Sequence, residues 1–163
     1  MDSQFRRNLA ELAMDMEQRS RVTRDAHFLA ARFWDKVTLW LGLFGVLVGV
    51  VGGVFSGTGI LGGTNLALTA TFSVLAGLSA AVASFLKPSE RVDAHKRAGN
   101  NWAILRDRAA NLRRLELISE TDDKKLQESY EKILDLWKED AESSPIVPTR
   151  AFEHARKAIQ RRD

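Results

Sequence analysis

Residues 37–86 read VTLWLGLFGVLVGVVGGVFSGTGILGGTNLALTATFSVLAGLSAAVASFL. These 50 consecutive residues carry no charge, in a chain of 163 that holds 24 Lys and Arg and 21 Asp and Glu. Outside this run roughly 40% of residues are charged, against about 25% in an ordinary soluble domain. So long an uncharged run in so charged a chain excludes a simple soluble globule and predicts a small membrane protein. The run begins at residue 37 and is far longer than the apolar region of a cleaved signal peptide, which excludes that reading.

Turn formers divide the run at Gly57-Thr58-Gly59-Ile60-Leu61-Gly62-Gly63-Thr64-Asn65. On either side lie residues 37–57 and 66–86, each 21 residues long. A helix of that length rises about 31 Å, close to the roughly 30 Å of a bilayer's hydrocarbon core. The ends then fix orientation. Arg19, Arg21, Arg24, Arg32 and Lys36 precede the first span, Lys87, Arg91, Lys96 and Arg97 follow the second, and the loop has no basic residue. Both termini are therefore expected in the cytoplasm.

The charged segments read as helices. Phe5, Leu9, Leu12 and Met16 recur at helical spacing, followed by Ala26, Ala30 and Phe33. This suggests one helix or a helix pair, part of it on the membrane surface. Pro88 and Ser89 mark a helix start or a kink. His95, Ala98, Trp102, Leu105, Ala109 and Leu112 then alternate by three and four, a period suited to helix-on-helix packing. Ser119, Thr121, Asp122 and Asp123 open a further helix with Leu126, Tyr130, Ile133 and Trp137 on one face. Pro145 and Pro148 end it, and Phe152, Ala155 and Ile159 mark a short last helix. The expected fold is all-α: an N-terminal cytoplasmic or juxtamembrane helix (1–36), a two-helix transmembrane hairpin (37–86) and a C-terminal cytoplasmic helical bundle (87–163). So small a core favours association between copies.

Little catalytic chemistry is present. There is no cysteine, which removes disulfides and thiol catalysis. Gly57-Thr58-Gly59-Ile60-Leu61-Gly62 matches the dinucleotide-binding glycine pattern, but between two apolar spans it lacks the strand and the acidic residue that pattern needs. It reads as a turn. His27, His95 and His154 lie in different segments without metal-ligand spacing. His95 falls on an apolar stripe and reads first as a packed interface histidine. No enzyme activity, cofactor or metal is expected, and a net charge of +3 does not argue for sequence-specific nucleic acid.

The informative pattern is inside the apolar run. Gly45, Gly49, Gly53 and Gly57 repeat every four residues, widened by Gly42 and Gly52. Small residues let helices approach closely in lipid, so the ladder is a candidate packing face. In the second span Thr69, Ser73, Ala76, Ala80 and Ser84 share a side. They form either a second packing face or the lining of a narrow water path, and the path requires an oligomer. A coupled transporter is disfavoured because it ordinarily needs an ionisable group within the membrane. Arg91, His95, Lys96, Arg97, Arg106 and Arg108 lie in a block of net positive charge. They are ordinary solvated helix faces, or candidates to meet anionic lipid or a nucleotide.

The run Phe85-Leu86-Lys87-Pro88-Ser89-Glu90-Arg91-Val92-Asp93-Ala94-His95-Lys96-Arg97-Ala98, then Trp102 and Leu105, resembles the segment after the second span in the SLATT family. The layout of helix, two close spans and helical tail is similar too. The resemblance implies a two-transmembrane effector of bacterial nucleotide-signalling anti-phage defence, in the inner membrane. It would form a depolarising pore of four or more protomers, controlled by a nucleotide or oligonucleotide signal from a partner nucleotidyltransferase. It brings no catalytic residues. The alternative is a non-conducting anchor whose tail recruits a soluble partner.

Overall fold

The computed structural model describes residues 3–57, 66–116 and 122–161. Among the described residues every regular element is helical and none is a strand. The turn expected over residues 58–65 and the break expected at Ser119 and Thr121 lie outside them.

Helix α1 (Ser3–Gly57) is 55 residues long. It contains no proline, so nothing interrupts its hydrogen-bond ladder, and the N-terminal segment is one helix that runs on through the first apolar segment. Helix α2 (Leu66–Leu86) is the second apolar segment. Both are long and apolar enough to cross a membrane. Only 11% and 6% of their most apolar windows are buried, unlike the core helix of a soluble protein. Helix α3 (Pro88–Asn111) begins on a proline, whose missing N–H costs nothing in a first turn. Lys87 between α2 and α3 has φ 43, in the left-handed region, so the break is a sharp one. A π-helical turn (Leu112–Glu116) follows α3. Helix α4 (Asp123–Ser143) is capped by the Asp122 carboxylate, which accepts from the Lys124 amide. Helix α5 (Thr149–Gln160) follows Pro148.

The chain forms two units, one of Met1–Ala31 with Asp93–Asp163 and one of Arg32–Val92. The first has a core in which Leu9, Ala13 and Met16 of α1 meet Ala98, Trp102, Leu105 and Ala109 of α3, with Leu112 and with Leu126 and Ile133 of α4. The N-terminal segment thus shares a core with the C-terminal tail, where sequence suggested separate segments. Leu12 is 48% and Phe33 58% exposed. The expected Leu9, Met16, Ala26 and Ala30 are buried, joined by Ala13, Ser20 and His27.

Polar contacts tie the helices of this unit together. Arg6 of α1 pairs with Asp123 at 3.0 Å, and Arg113 of the π turn reaches Glu17 at 2.9 Å. Trp102 Nε1 donates to Ser144 Oγ at 3.1 Å, and its ring meets Trp137 edge-on. Asn101 donates to Asp140 at 3.1 Å. Burial still holds the Asp140 carboxyl above its usual range, against the lowering effect of that bond.

Two substitutions test this packing. A Cβ at Gly99 would stand 3.1 Å from the Phe28 ring, crowding that opposes the roughly 1 kcal/mol a helix interior gains from Gly to Ala, so Gly99→Ala should be more favourable in a Phe28→Leu background than in the wild type. Ser20 Oγ is buried without a hydrogen-bond partner, which costs about 1–3 kcal/mol. Ser20→Ala should therefore leave thermal stability unchanged or raise it, and a clear loss of melting temperature would contradict the packing described.

Candidate functional site

Unit Arg32–Val92 is built on a narrow seam. On α1 the enclosed positions from residue 32 to 54 are Trp34, Val37, Leu41, Gly45, Val48 and Gly52. On α2 they are Thr69, Phe72, Ala76, Ser79, Ala83 and Leu86. Both sets step by three and four, the spacing of one helix face. A Cβ on Gly45 would sit 3.5 Å from Ser79 Oγ, and one on Gly52 only 2.8 Å from Phe72 Cβ. As α1 is followed forward α2 is met backward, so the two run antiparallel. The backbone of α1 at Gly52 lies where no side chain fits.

One position further round each helix the surface opens. Gly49, Gly53, Thr69 and Ser73 line a crevice of about 240 Å³. Gly42, Gly45, Ala80 and Ala83 line another of about 550 Å³, and Ala76 borders both. In antiparallel helices the positions just past the seam fall on the same side of the pair, so the two crevices share one flank. Of the expected ladder, Gly45 lies in the seam, Gly49 and Gly53 face open space, and Gly57 ends α1. Of the expected hydroxyl stripe, Thr69 and Ala76 lie in the seam, Ser73 and Ala80 border the crevices, and Ser84 is exposed. The tightest contact joins Gly52, expected on the widened glycine face, to Phe72, which lies outside the expected stripe of α2.

The basic residues do not form one patch. The Arg91 guanidinium lies 4.5 Å over the Trp34 ring, and its Nε donates to the Leu86 carbonyl at 3.0 Å. Lys96, Arg97 and Arg108 are exposed. At about 100° per residue, Arg97 and Arg108 share a face of α3 while Arg106 points to the opposite one. Arg106 bonds its neighbour Asp107 at 2.9 Å, and Arg97 Nε donates to the Asp93 carbonyl.

His95 is not on that surface. It is 4% exposed, and its Nδ1 lies 3.1 Å from Nδ1 of His27, itself 1% exposed. In this contact one imidazole must donate and the other accept. Burial, and then the proximity of His95, lowers His27 to about 4. Among the described residues no three metal-ligating side chains gather, so the pair stands without a third ligand. His27 was not legible as the partner because the two lie 68 positions apart.

In the other unit, Val22, Trp137 and Phe152 floor a groove of about 640 Å³ rimmed by Arg19, Asp15, Glu153 and Arg156. Arg19 is already paired with Asp15 at 2.9 Å. The mixed rim gives the groove no dominant charge. No family model, curated protein or solved structure matches the chain.

The seam and the histidines generate two predictions. Gly52→Leu must displace Phe72 and should disrupt α1–α2 packing, read as lost protease resistance of residues 32–92. A Cβ at Gly49 meets no atom within 4 Å and the crevice beside it is open, so Gly49→Leu should leave that resistance intact, and equal damage from both would refute the seam. For His27 the pKa is below the ordinary 6.5, so between about 6.5 and 4 the unfolded chain binds the extra proton. Stability should therefore fall on acidification through that window, by up to about 1.4 kcal/mol per pH unit for one proton. His27→Gln should flatten the slope in pH-dependent denaturation, and an unchanged slope would place the titration elsewhere.

Proposed function

We propose that the chain is an oligomeric protein of the bacterial inner membrane, with α2 and the apolar half of α1 spanning the bilayer as a hairpin and both termini in the cytoplasm. The observation that carries this reading is the single seam between two helices whose other surface is exposed. Leu39, Trp40, Val46 and Val50 on α1 and Val74, Leu78 and Phe85 on α2 are between 57% and 86% exposed. Water would make that surface very unfavourable, and lipid or further copies would cover it. The charged flanks on one side and their absence from the loop support the orientation.

The function we infer for the assembly is an ion-conducting pore that depolarises the cell. A flank carrying Ser73 and Ala80 beside Gly49 and Gly53 offers both a weakly polar lining and room for close approach between protomers. With no ionisable group in either span, such a path would be narrow, weakly selective and closed by dewetting. Control by a nucleotide or oligonucleotide signal from a partner nucleotidyltransferase, as an anti-phage effector, rests on the resemblance to the SLATT family alone. The anchor reading has its own support in the groove floored by Trp137 and Phe152, which suits a soluble partner docking on the charged unit.

Expression in bacteria separates the two. For a pore, Ala80→Leu should reduce depolarisation without stopping insertion, and Ser73→Asp should make a leaky, cation-preferring assembly. If the flank only packs, Ser73→Asp should abolish the oligomer, since a lone carboxylate there costs about 2.5–3.5 kcal/mol on insertion scales. Wild-type protein that inserts and assembles without changing membrane potential would leave the anchor.

A further inference from the structure

We propose that α5 of one copy docks along α4 of the next, head to tail, through a basic stripe on the first and an acidic stripe on the second. This rests on the reading that the chain assembles into an oligomer. On α4 the core side is set by Leu126, Tyr130, Ile133 and Trp137. At about 100° per residue, Glu128, Glu131, Asp135, Glu139 and Glu142 fall within about 40° of a single line on the opposite side, and all are exposed. Lys124 continues that line at the N-terminal end, and Lys132 and Lys138 lie about 60° to either side of it. The carboxylates extend along about 21 Å of helix at 1.5 Å per residue.

The outer face of α5 has the opposite sign. Ala155 is buried and Phe152 and Ile159 are half-buried, which sets the inward side of the helix. Arg150, His154, Lys157 and Arg161 fall within about 30° of one line on the other side, and all four are exposed. Glu153, the one carboxylate of α5, lies about 70° from that line. The basic stripe is about 17 Å long, and both stripes step by three and four.

Neither stripe is satisfied within its own chain. Among the described residues Glu128, Glu139 and Glu142 have no ion pair, and neither do Arg150, Lys157 and Arg161. Asp135 reaches only Lys138 of its own helix, at 3.6 Å, and Glu131 accepts from Gln127. Like charges three and four positions apart weaken a helix standing alone, whereas an ordinary solvated face interleaves the two signs. Opposite charge from outside relieves both helices. A lipid surface would suit the basic stripe but would leave the acidic one without a counterpart, and a second copy supplies both. Exposed ion pairs are individually weak, so the stripes act by selecting which faces meet. Each copy then turns α5 to one neighbour and α4 to the other, a heterologous contact that closes as a ring.

The test is the native mass of the full chain in detergent, followed against protein concentration at low and high salt. Wild type should assemble beyond a dimer, and high salt should weaken the assembly. Asp135→Lys with Glu139→Lys reverses the stripe on α4, and Arg150→Glu with Lys157→Glu reverses the one on α5. Each pair should raise the concentration needed for assembly about tenfold, equivalent to about 1.4 kcal/mol, with helical content by circular dichroism unchanged. Mixing the two reversed proteins, or placing all four changes in one chain, should restore assembly, because the signs again oppose at every contact. A wild-type oligomer that both reversals leave intact would overturn this interface and spare the oligomer. Failure of both the mixture and the fourfold variant to recover would overturn the pairing. Weakening by the α5 reversal alone, together with lost binding to phosphatidylglycerol vesicles, would overturn it in favour of lipid. Assembly that stops at two copies would overturn the head-to-tail arrangement, and a wild type that stays monomeric would overturn the oligomer reading itself.

Discussion

The close approach of α1 to α2 at Gly52 sets the geometry of the apolar unit. A Cβ there would come within 2.8 Å of Phe72 Cβ, so the aromatic ring of one helix takes the volume a side chain would claim on the other. In water such contact would be driven by burial of apolar area. In lipid, where the surroundings are equally apolar, packing must supply the attraction, and glycine increases it by letting backbones approach. A single stripe on each helix is enough to register the pair, and the rest of both surfaces is left for other contacts. The crevices beside Gly42, Gly49 and Gly53 follow from the same economy of side chains.

The periodicity of the charged helices was legible in the sequence, whereas the faces of the apolar ones were only half so. His95, Ala98, Trp102, Leu105, Ala109 and Leu112 are all buried, because polar residues between them leave one possible inward face. Within the two spans, residues 37–57 and 66–86, every position is apolar or small, so hydropathy cannot choose a face. The glycine ladder was chosen by its constant spacing of four. Four residues turn a helix by about 400°, so each step drifts roughly 40° round the axis. Gly45 can therefore lie in the seam while Gly49 and Gly53 have left it. Contacts that alternate by three and four stay on one face, and Gly45, Val48 and Gly52 do so. Thr69, Ser73, Ala76, Ala80 and Ser84 divide between seam and flank for the same reason.

The histidine pair shows a different limit. Each residue sits on the buried stripe of its own helix, His27 seven positions after Ser20 and His95 three before Ala98, but local spacing cannot say which stripe meets which. That pairing is fixed by the tertiary contact of α1 with α3, where Gly99 admits the Phe28 ring and brings the two imidazoles together. Burial makes a proton on His27 costly, and the neighbouring ring offers it no carboxylate in return. An apolar pair of the same size would pack as well. A hydrogen bond between the two rings additionally restrains the rotation of α3 against α1, as buried polar pairs do when their partners can be satisfied in one register only.

The break between α2 and α3 shows how the charged and uncharged halves of the sequence are joined. Lys87 is the first charge after the apolar run, and its left-handed backbone ends α2 at the place where uncharged sequence ends. A non-glycine residue held there is strained by about 1–2 kcal/mol, and the proline after it disfavours the helical alternative. Ending α2 would also strand its last carbonyls. Arg91 answers part of that need by donating to the Leu86 carbonyl while its guanidinium covers Trp34 of α1. A residue that reads from sequence as a free cation for lipid or nucleotide is thus occupied in closing the helix end and holding it to the neighbouring helix.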